Sequence, residues 1–220
     1  MRHKLTGVVL VVVTGLILVA SVNFFTKSQP QRQPVEHRAV TKNFQSEAAR
    51  LLGAERELVS PAEATIATNR KLLPAGTQSI LKVPTQLNHG DYVWNEQGVA
   101  TGRVTIWVDL RRQMISAFRN GHEIGTAVIV YGAVEMPSPE GVFPVLRKDS
   151  DYHSRSYDAP MPYSLFITND GVALHGSPMS SRRASHGCIG LPVEFAQKLF
   201  EASNVGDIVQ ITRSDVNSDV

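Results

Sequence analysis

The chain has 220 residues, of which 42% are apolar and 19% charged, with a net charge of +2. That length allows one substantial domain with smaller attachments, and the apolar share is enough for a packed core. So small a charge, with no dense basic run, excludes a nucleic-acid partner held by electrostatics.

Arg2 and Lys4 precede Leu5–Phe25, which holds no charge. About 20 such residues can cross a bilayer as a helix, whereas a secretory signal core is usually about 7–15 residues. The expectation for 1–25 is therefore an uncleaved membrane anchor. Val19-Ala20-Ser21 keeps a cleaved signal open. Residues 26–42 are polar, carry Pro30 and Pro34, and read as a linker.

Residues 43–78 read as a small helical spacer. Phe44, Ala48, Leu51, Leu52 and Leu58 make a loose helical pattern. Ser60-Pro61-Ala62-Glu63 is a sharper start signal, with a capping serine, a first-turn proline and a capping-box glutamate. The helix it opens is predicted to run to Leu73, before Pro74 and Gly76.

Beyond Ser79 the pattern shortens into strands and turns. Residues 79–102 read as lead-in strands. Val104, Ile106 and Val108 alternate with Thr105, Trp107 and Asp109. Met114–Phe118 and Glu123–Tyr131 flank Asn120-Gly121, a hairpin signal. Val142–Leu146 and Tyr163–Thr168 follow, and Asp170-Gly171 turns the chain into Val172–Leu174. Val193–Ala202 reads as a helix and Ile208–Thr212 as a last strand. The fold class is mainly β, a sandwich or barrel.

Cys188 is the only cysteine in the chain. His186 lies two residues before it and His175 thirteen before it, at the end of a predicted strand. An exported chain with one cysteine has no internal disulfide, so its thiol pairs between molecules or reacts. Thiol catalysis needs a base to generate the thiolate, and amides to hold the oxyanion of a tetrahedral intermediate. Histidine contact is expected to lower the thiol pKa. A backbone carbonyl near Gly176 or Ser177 is expected to hold the other imidazole nitrogen. Two other readings stay open. The cysteine is a small buried apolar residue, or His175, His186, Cys188 and His153 bind zinc, although their spacing matches no zinc signature.

Ser185-His186-Gly187-Cys188, with His175-Gly176 upstream, resembles the L,D-transpeptidase catalytic domain of the YkuD type. So do Ser138-Pro139-Glu140-Gly141-Val142-Phe143, Met161-Pro162-Tyr163 and the strand Ala173–Gly176. The resemblance covers 103–213, leaving 214–220 as a tail. It implies a YkuD-like sandwich or barrel with a short helix after the cysteine. It also implies cysteine acyl transfer on peptidoglycan stem peptides, without a cofactor or metal. Cys188 would attack at the L-centre of a diamino acid and release D-alanine, and an amine would resolve the thioester as a 3–3 cross-link. His175 would be the base, oriented by the Gly176 carbonyl. Ser185, His186 and Gly187 would line the oxyanion and substrate site. Carbapenems would acylate the thiol. The place of action would be outside the cytoplasm, in cell-wall organisation and cell shape. Hydrolysis of the same thioester, as a carboxypeptidase or endopeptidase, and a non-catalytic wall-binding module are the alternatives. Family members commonly carry arginine two residues after the cysteine, where this chain has Gly190. Arg182 and Arg183 are candidates to replace it on a substrate carboxylate.

Overall fold

The computed structural model describes residues 55–83, 86–132, 137–179 and 187–215. The predicted anchor and linker lie outside them. Among the described residues no helix is long and apolar enough to cross a membrane.

The architecture is mainly β. The first strands are β1 (Arg56–Leu58), β2 (Ser79–Leu81), β3 (Tyr92–Trp94), β4 (Val104–Asp109), β5 (Met114–Arg119) and β6 (His122–Val128). Then come β7 (Gly141–Pro144), β8 (Arg147–Ser154), β9 (Ala159–Phe166), β10 (Ala173–Gly176), β11 (Ile189–Leu191) and β12 (Ile208–Thr212). Helix α1 spans Pro61–Asn69 and α2 spans Val193–Ala202. The larger sheet runs β1-β2-β6-β5-β4-β12-β7, with β3 also on β6, and the smaller runs β11-β10-β9-β8.

Alternation builds the interface between the sheets. Val104, Ile106 and Val108 of β4 join Ile115 and Ala117 of β5 and Val209 and Ile211 of β12. Leu165, Leu174, Ile189 and Leu191 from the smaller sheet complete the same core. Helix α2 adds Phe195, Ala196 and Leu199, which are one face of a helix. Fully burying a side chain such as Phe195 contributes about 1.5–3 kcal/mol. Asn120 and Gly121 both have positive φ, 51° and 79°, as a two-residue hairpin between antiparallel strands requires.

The structure departs from the sequence expectations in three places. Arg56–Leu58, placed at the end of a helical pattern, is a strand paired antiparallel to Ser79–Leu81. Its Arg56 guanidinium donates to the carbonyls of Glu123 and Asn95, which outweighs weak helical spacing. Helix α1 has the expected capping box, with Ser60 Oγ accepting from Glu63 N at 3.3 Å and Ser60 N donating to Glu63 Oε2 at 2.8 Å. It stops at Asn69 and not Leu73, because Lys71 turns left-handed at φ 54° and the Leu72 amide bonds back to the Ala67 carbonyl. The third difference is β8, an eight-residue strand that the charged segment Arg147–Ser154 does not announce.

Candidate active site

The site lies where β10 and β11 run side by side. Their parallel register sets Leu174 opposite Ile189, His175 opposite Gly190 and Gly176 opposite Leu191. Cys188 immediately precedes β11. It is two residues from the position facing His175, so thiol and imidazole share one face of the sheet. The half-buried Cys188 packs against a small cluster of Met161, Phe166 and Ala173, with Tyr152 beside it. Its Sγ points at the Gly171 carbonyl at 3.8 Å.

His175 is 8% exposed. Its Nδ1 lies 2.9 Å from the Gly176 carbonyl oxygen. A carbonyl only accepts, so Nδ1 carries the proton and Nε2 keeps its lone pair. Burial lowers the imidazole pKa below its usual value, and the Gly176 hydrogen bond opposes this only partly. The resting imidazole is therefore neutral at neutral pH, with Nε2 able to take a proton.

The thiol behaves differently from the expectation. Burial pushes the Cys188 pKa up, the Ala173 backbone hydrogen bond pulls it down, and the Asp170 carboxylate raises it further. Burial disfavours the thiolate more than the Ala173 backbone hydrogen bond favours it. Both shifts favour the uncharged forms, a thiol at Cys188 and an imidazole at His175.

Three glycines are held for different reasons. Gly187 has φ +91°, a conformation that side chains rarely adopt, while a Cβ there would meet only ordinary contacts. A Cβ on Gly176 would sit 3.1 Å from Pro162 Cγ, so this proline packs against the residue whose carbonyl meets His175 Nδ1. A Cβ on Gly190 would come 2.6 Å from Val130 Cγ2 and 3.0 Å from Ser177 Cβ. Val130 and Gly190 exchange two backbone hydrogen bonds of 3.0 and 2.8 Å. The space above residue 190 is therefore filled, and an arginine has no room there without moving Val130 and Ser177.

The Met161-Pro162-Tyr163 segment has a backbone reason as well. Leu165 and Tyr163 face the main core, whereas Phe166 and Met161 face the thiol cluster. Strict alternation would put Met161 with Leu165. Tyr163 has φ 58°, left-handed for a bulky residue, and this reversal turns Met161 to the thiol side.

Cys188, His175, Gly176 and Gly187 are thus brought together. Ser185, His186, Arg182 and Arg183 lie outside the described residues. Among the described residues no group of three His, Cys, Asp or Glu side chains is arranged to hold a metal. His153 instead meets Asp158 at 2.9 Å on the exposed β8–β9 hairpin. Sequence reasoning missed Asp170, whose charge acts on the thiol. Its only sequence signal was its place in the turn Asp170-Gly171. Pro162 and the floor formed by Phe166 and Met161 had no signal beyond the family-like segment.

Fold and site together define a β-rich protein with a thiol and a neutral imidazole on adjoining parallel strands. The model of the YkuD family, the L,D-transpeptidase catalytic domain, matches residues 103–211. Residues 103–211 therefore belong to the YkuD family of L,D-transpeptidase catalytic domains. L,D-transpeptidase 1 of Mycobacterium tuberculosis is 28% identical over 133 residues, covering 52% of this chain and 53% of that protein. The chain thus matches about half the length of this curated relative. Among solved structures, an L,D-transpeptidase (Yku) from Stackebrandtia nassauensis is 26% identical, with a TM-score of 0.48. The match covers 53% of this chain and 60% of that one. An L,D-transpeptidase in complex with imipenem is 25% identical over 49% of this chain and 58% of that one, with a TM-score of 0.47.

Proposed function

We propose that this chain is a cysteine L,D-transpeptidase acting on peptidoglycan stem peptides outside the cytoplasm, with residues 1–25 as its membrane anchor or export signal. The observation that carries the reading is the His175 Nδ1 contact with the Gly176 carbonyl, 2.9 Å long, on the strand beside Cys188. It leaves Nε2 as the only basic nitrogen of that ring.

In the proposed reaction the Cys188 proton moves to His175 Nε2 as Sγ attacks the carbonyl at the L-centre of the diamino acid. Backbone amides around His186, Gly187 and Cys188 hold the oxyanion, and Ser185 lines the same site. The amide bond then breaks. The imidazolium returns its proton to the departing D-alanine amine, leaving a thioester on Cys188. A second stem's amine attacks the thioester, gives its proton to Nε2 and forms a 3–3 cross-link. The thiol is regenerated, and the energy of the broken amide is carried through the thioester, so no cofactor is required.

The test is incubation of the full chain and its Cys188→Ala variant with tetrapeptide muropeptides, read by mass spectrometry. Cross-linked dimers from the parent alone support transpeptidation. Trimmed monomers indicate hydrolysis of the same thioester. Equal products from both proteins overturn the reading. A carbapenem is expected to add one acyl mass to the parent and none to Cys188→Ala. Failure to form that adduct favours a wall-binding module.

A further inference from the structure

One row of side chains crosses the smaller sheet from the thiol. Arg147 on β8 is paired with Phe166 on β9, and Phe166 with Ala173 on β10. Continuing the β10–β11 register by one residue places Cys188 at the end of the row. Directly paired residues point to the same face. The contacts agree, since Cys188 packs against the cluster that holds Ala173 and Phe166, and the Arg147 guanidinium lies over the Phe166 ring at 3.7 Å. Tyr152 closes the far side, edge-on to Phe166 at 5.0 Å and 5.5 Å from the guanidinium. The neighbouring Lys148 points the opposite way, donating to the carbonyls of Phe200 and Ser203 at 2.5 and 2.6 Å. Arg147 is thus the cation on the thiol's side of this strand.

We infer that Arg147, stacked on Phe166 in the row that begins at Cys188, binds a carboxylate of the donor peptide remote from the bond that is broken. The inference rests on the proposed transpeptidase reading and adds a specificity residue to it. The guanidinium carries five N–H donors. Asp149 takes one of them, with Oδ2 3.2 Å from Nη1. The remaining donors form a planar fork suited to a second carboxylate. Half of the side chain is exposed, at 51%, so a peptide lying along the row can reach it.

The spacing selects which carboxylate. Strands are about 4.8 Å apart, so the ring of Phe166, and the guanidinium above it, stand about 10 Å from the thiol, two strand steps away. The carboxylate of the departing D-alanine is about 4 Å from the attacked carbonyl, which is too close. A carboxylate some six to eight bonds away fits. On a stem peptide that is the side-chain carboxylate of the diamino acid or the free carboxylate of the acidic residue before it.

The experiment is a binding cycle on the full chain carrying Cys188→Ala, so that no turnover intervenes. Four tetrapeptides are used: unmodified, amidated at the terminal carboxylate, and amidated at each remote carboxylate in turn. Each is titrated against proteins with Arg147 or Arg147→Met. Methionine still covers Phe166 but carries no charge, so a structural role is retained. Arg147→Met is expected to weaken the unmodified peptide about tenfold, and to have almost no effect on one of the two remote amides. The amide that loses sensitivity identifies the carboxylate. Equal weakening of all four peptides, or loss of sensitivity only with the terminal amide, overturns the inference. A failure of the transpeptidase reading shows separately, as a parent protein that binds the peptides with this coupling yet forms no adduct on Cys188.

Discussion

Replacing Gly190 with alanine places a methyl group 2.6 Å from Val130 Cγ2 and 3.0 Å from Ser177 Cβ. Ordinary carbon contacts begin near 3.5 Å, so Val130 has to withdraw by about 1 Å. It has little freedom to do so. Its backbone is bonded to Gly190 in both directions, and its β-branched side chain has restricted rotation. Gly190 has no positive φ, so alanine meets no backbone strain and gains about 0.4–1 kcal/mol by stiffening the unfolded chain. Overpacking costs about 1–3 kcal/mol. The clash wins, and Gly190→Ala is expected to destabilise the protein by roughly 1–2 kcal/mol. Because Gly190 faces His175 in the register, acylation of Cys188 should slow as well. Val130→Ala removes the clashing Cγ2. The double variant should therefore lose less stability than the two single losses added together. Urea denaturation of all four proteins, with acylation followed by intact mass, measures both effects. A neutral or stabilising Gly190→Ala, or strict additivity in the cycle, refutes the packing argument.

The Cys188 thiol should alkylate more slowly than free cysteine at pH 7.5, with its rate still rising above the ordinary thiol range, because burial raises its pKa. Iodoacetamide labelling against pH checks this, and a plateau below pH 8 would contradict it. Acylation requires neutral His175, whose pKa burial lowers from 6.5, so its acid limb should fall below pH 6.5 and not at or above it. Glu123 is buried, and its Oε2 accepts the Leu81 amide at 2.7 Å. Glu123→Ala should cost about 1–3 kcal/mol by leaving that amide unmet, whereas Glu123→Gln keeps an acceptor and should cost less in urea denaturation. Equal losses would remove the hydrogen bond as the cause. Lys148→Met leaves the carbonyls of Phe200 and Ser203 without their ammonium donor, and should speed hydrogen exchange in the last turn of α2. Unchanged exchange there would show that the helix end does not depend on it.

Much of the strand pattern was legible because it obeys simple periods. The alternation in Val104–Val108, the Asn120-Gly121 turn and the apolar face of Val193–Ala202 all appear where sequence places them. The capping box at Ser60 was legible to the individual hydrogen bond. Strand β8 was not, because one of its faces meets solvent and half of its residues are charged. Strand β1 was hidden for another reason: it is held by Arg56, whose partners Glu123 and Asn95 are 67 and 39 residues away. At the site, the pairing of His175 with Gly176 was legible as a local contact. The direction of the Cys188 shift was not. It depends on Asp170 and on the apolar cluster of Met161, Phe166 and Ala173, which only the folded sheet assembles.

The outer edge of β6 is shared by β2 and β3, through Ser79 opposite His122 and Tyr92–Trp94 opposite Gly125–Ala127. Both partners precede residue 103, where the family match begins. A fragment cut at that boundary would uncover one edge of the seven-residue strand β6, whose free amides and carbonyls template pairing with another molecule. A fragment that keeps β2 and β3 should therefore associate less than one cut at residue 103. On this argument β2 and β3 act as covers for a sheet edge as well as parts of the sheet.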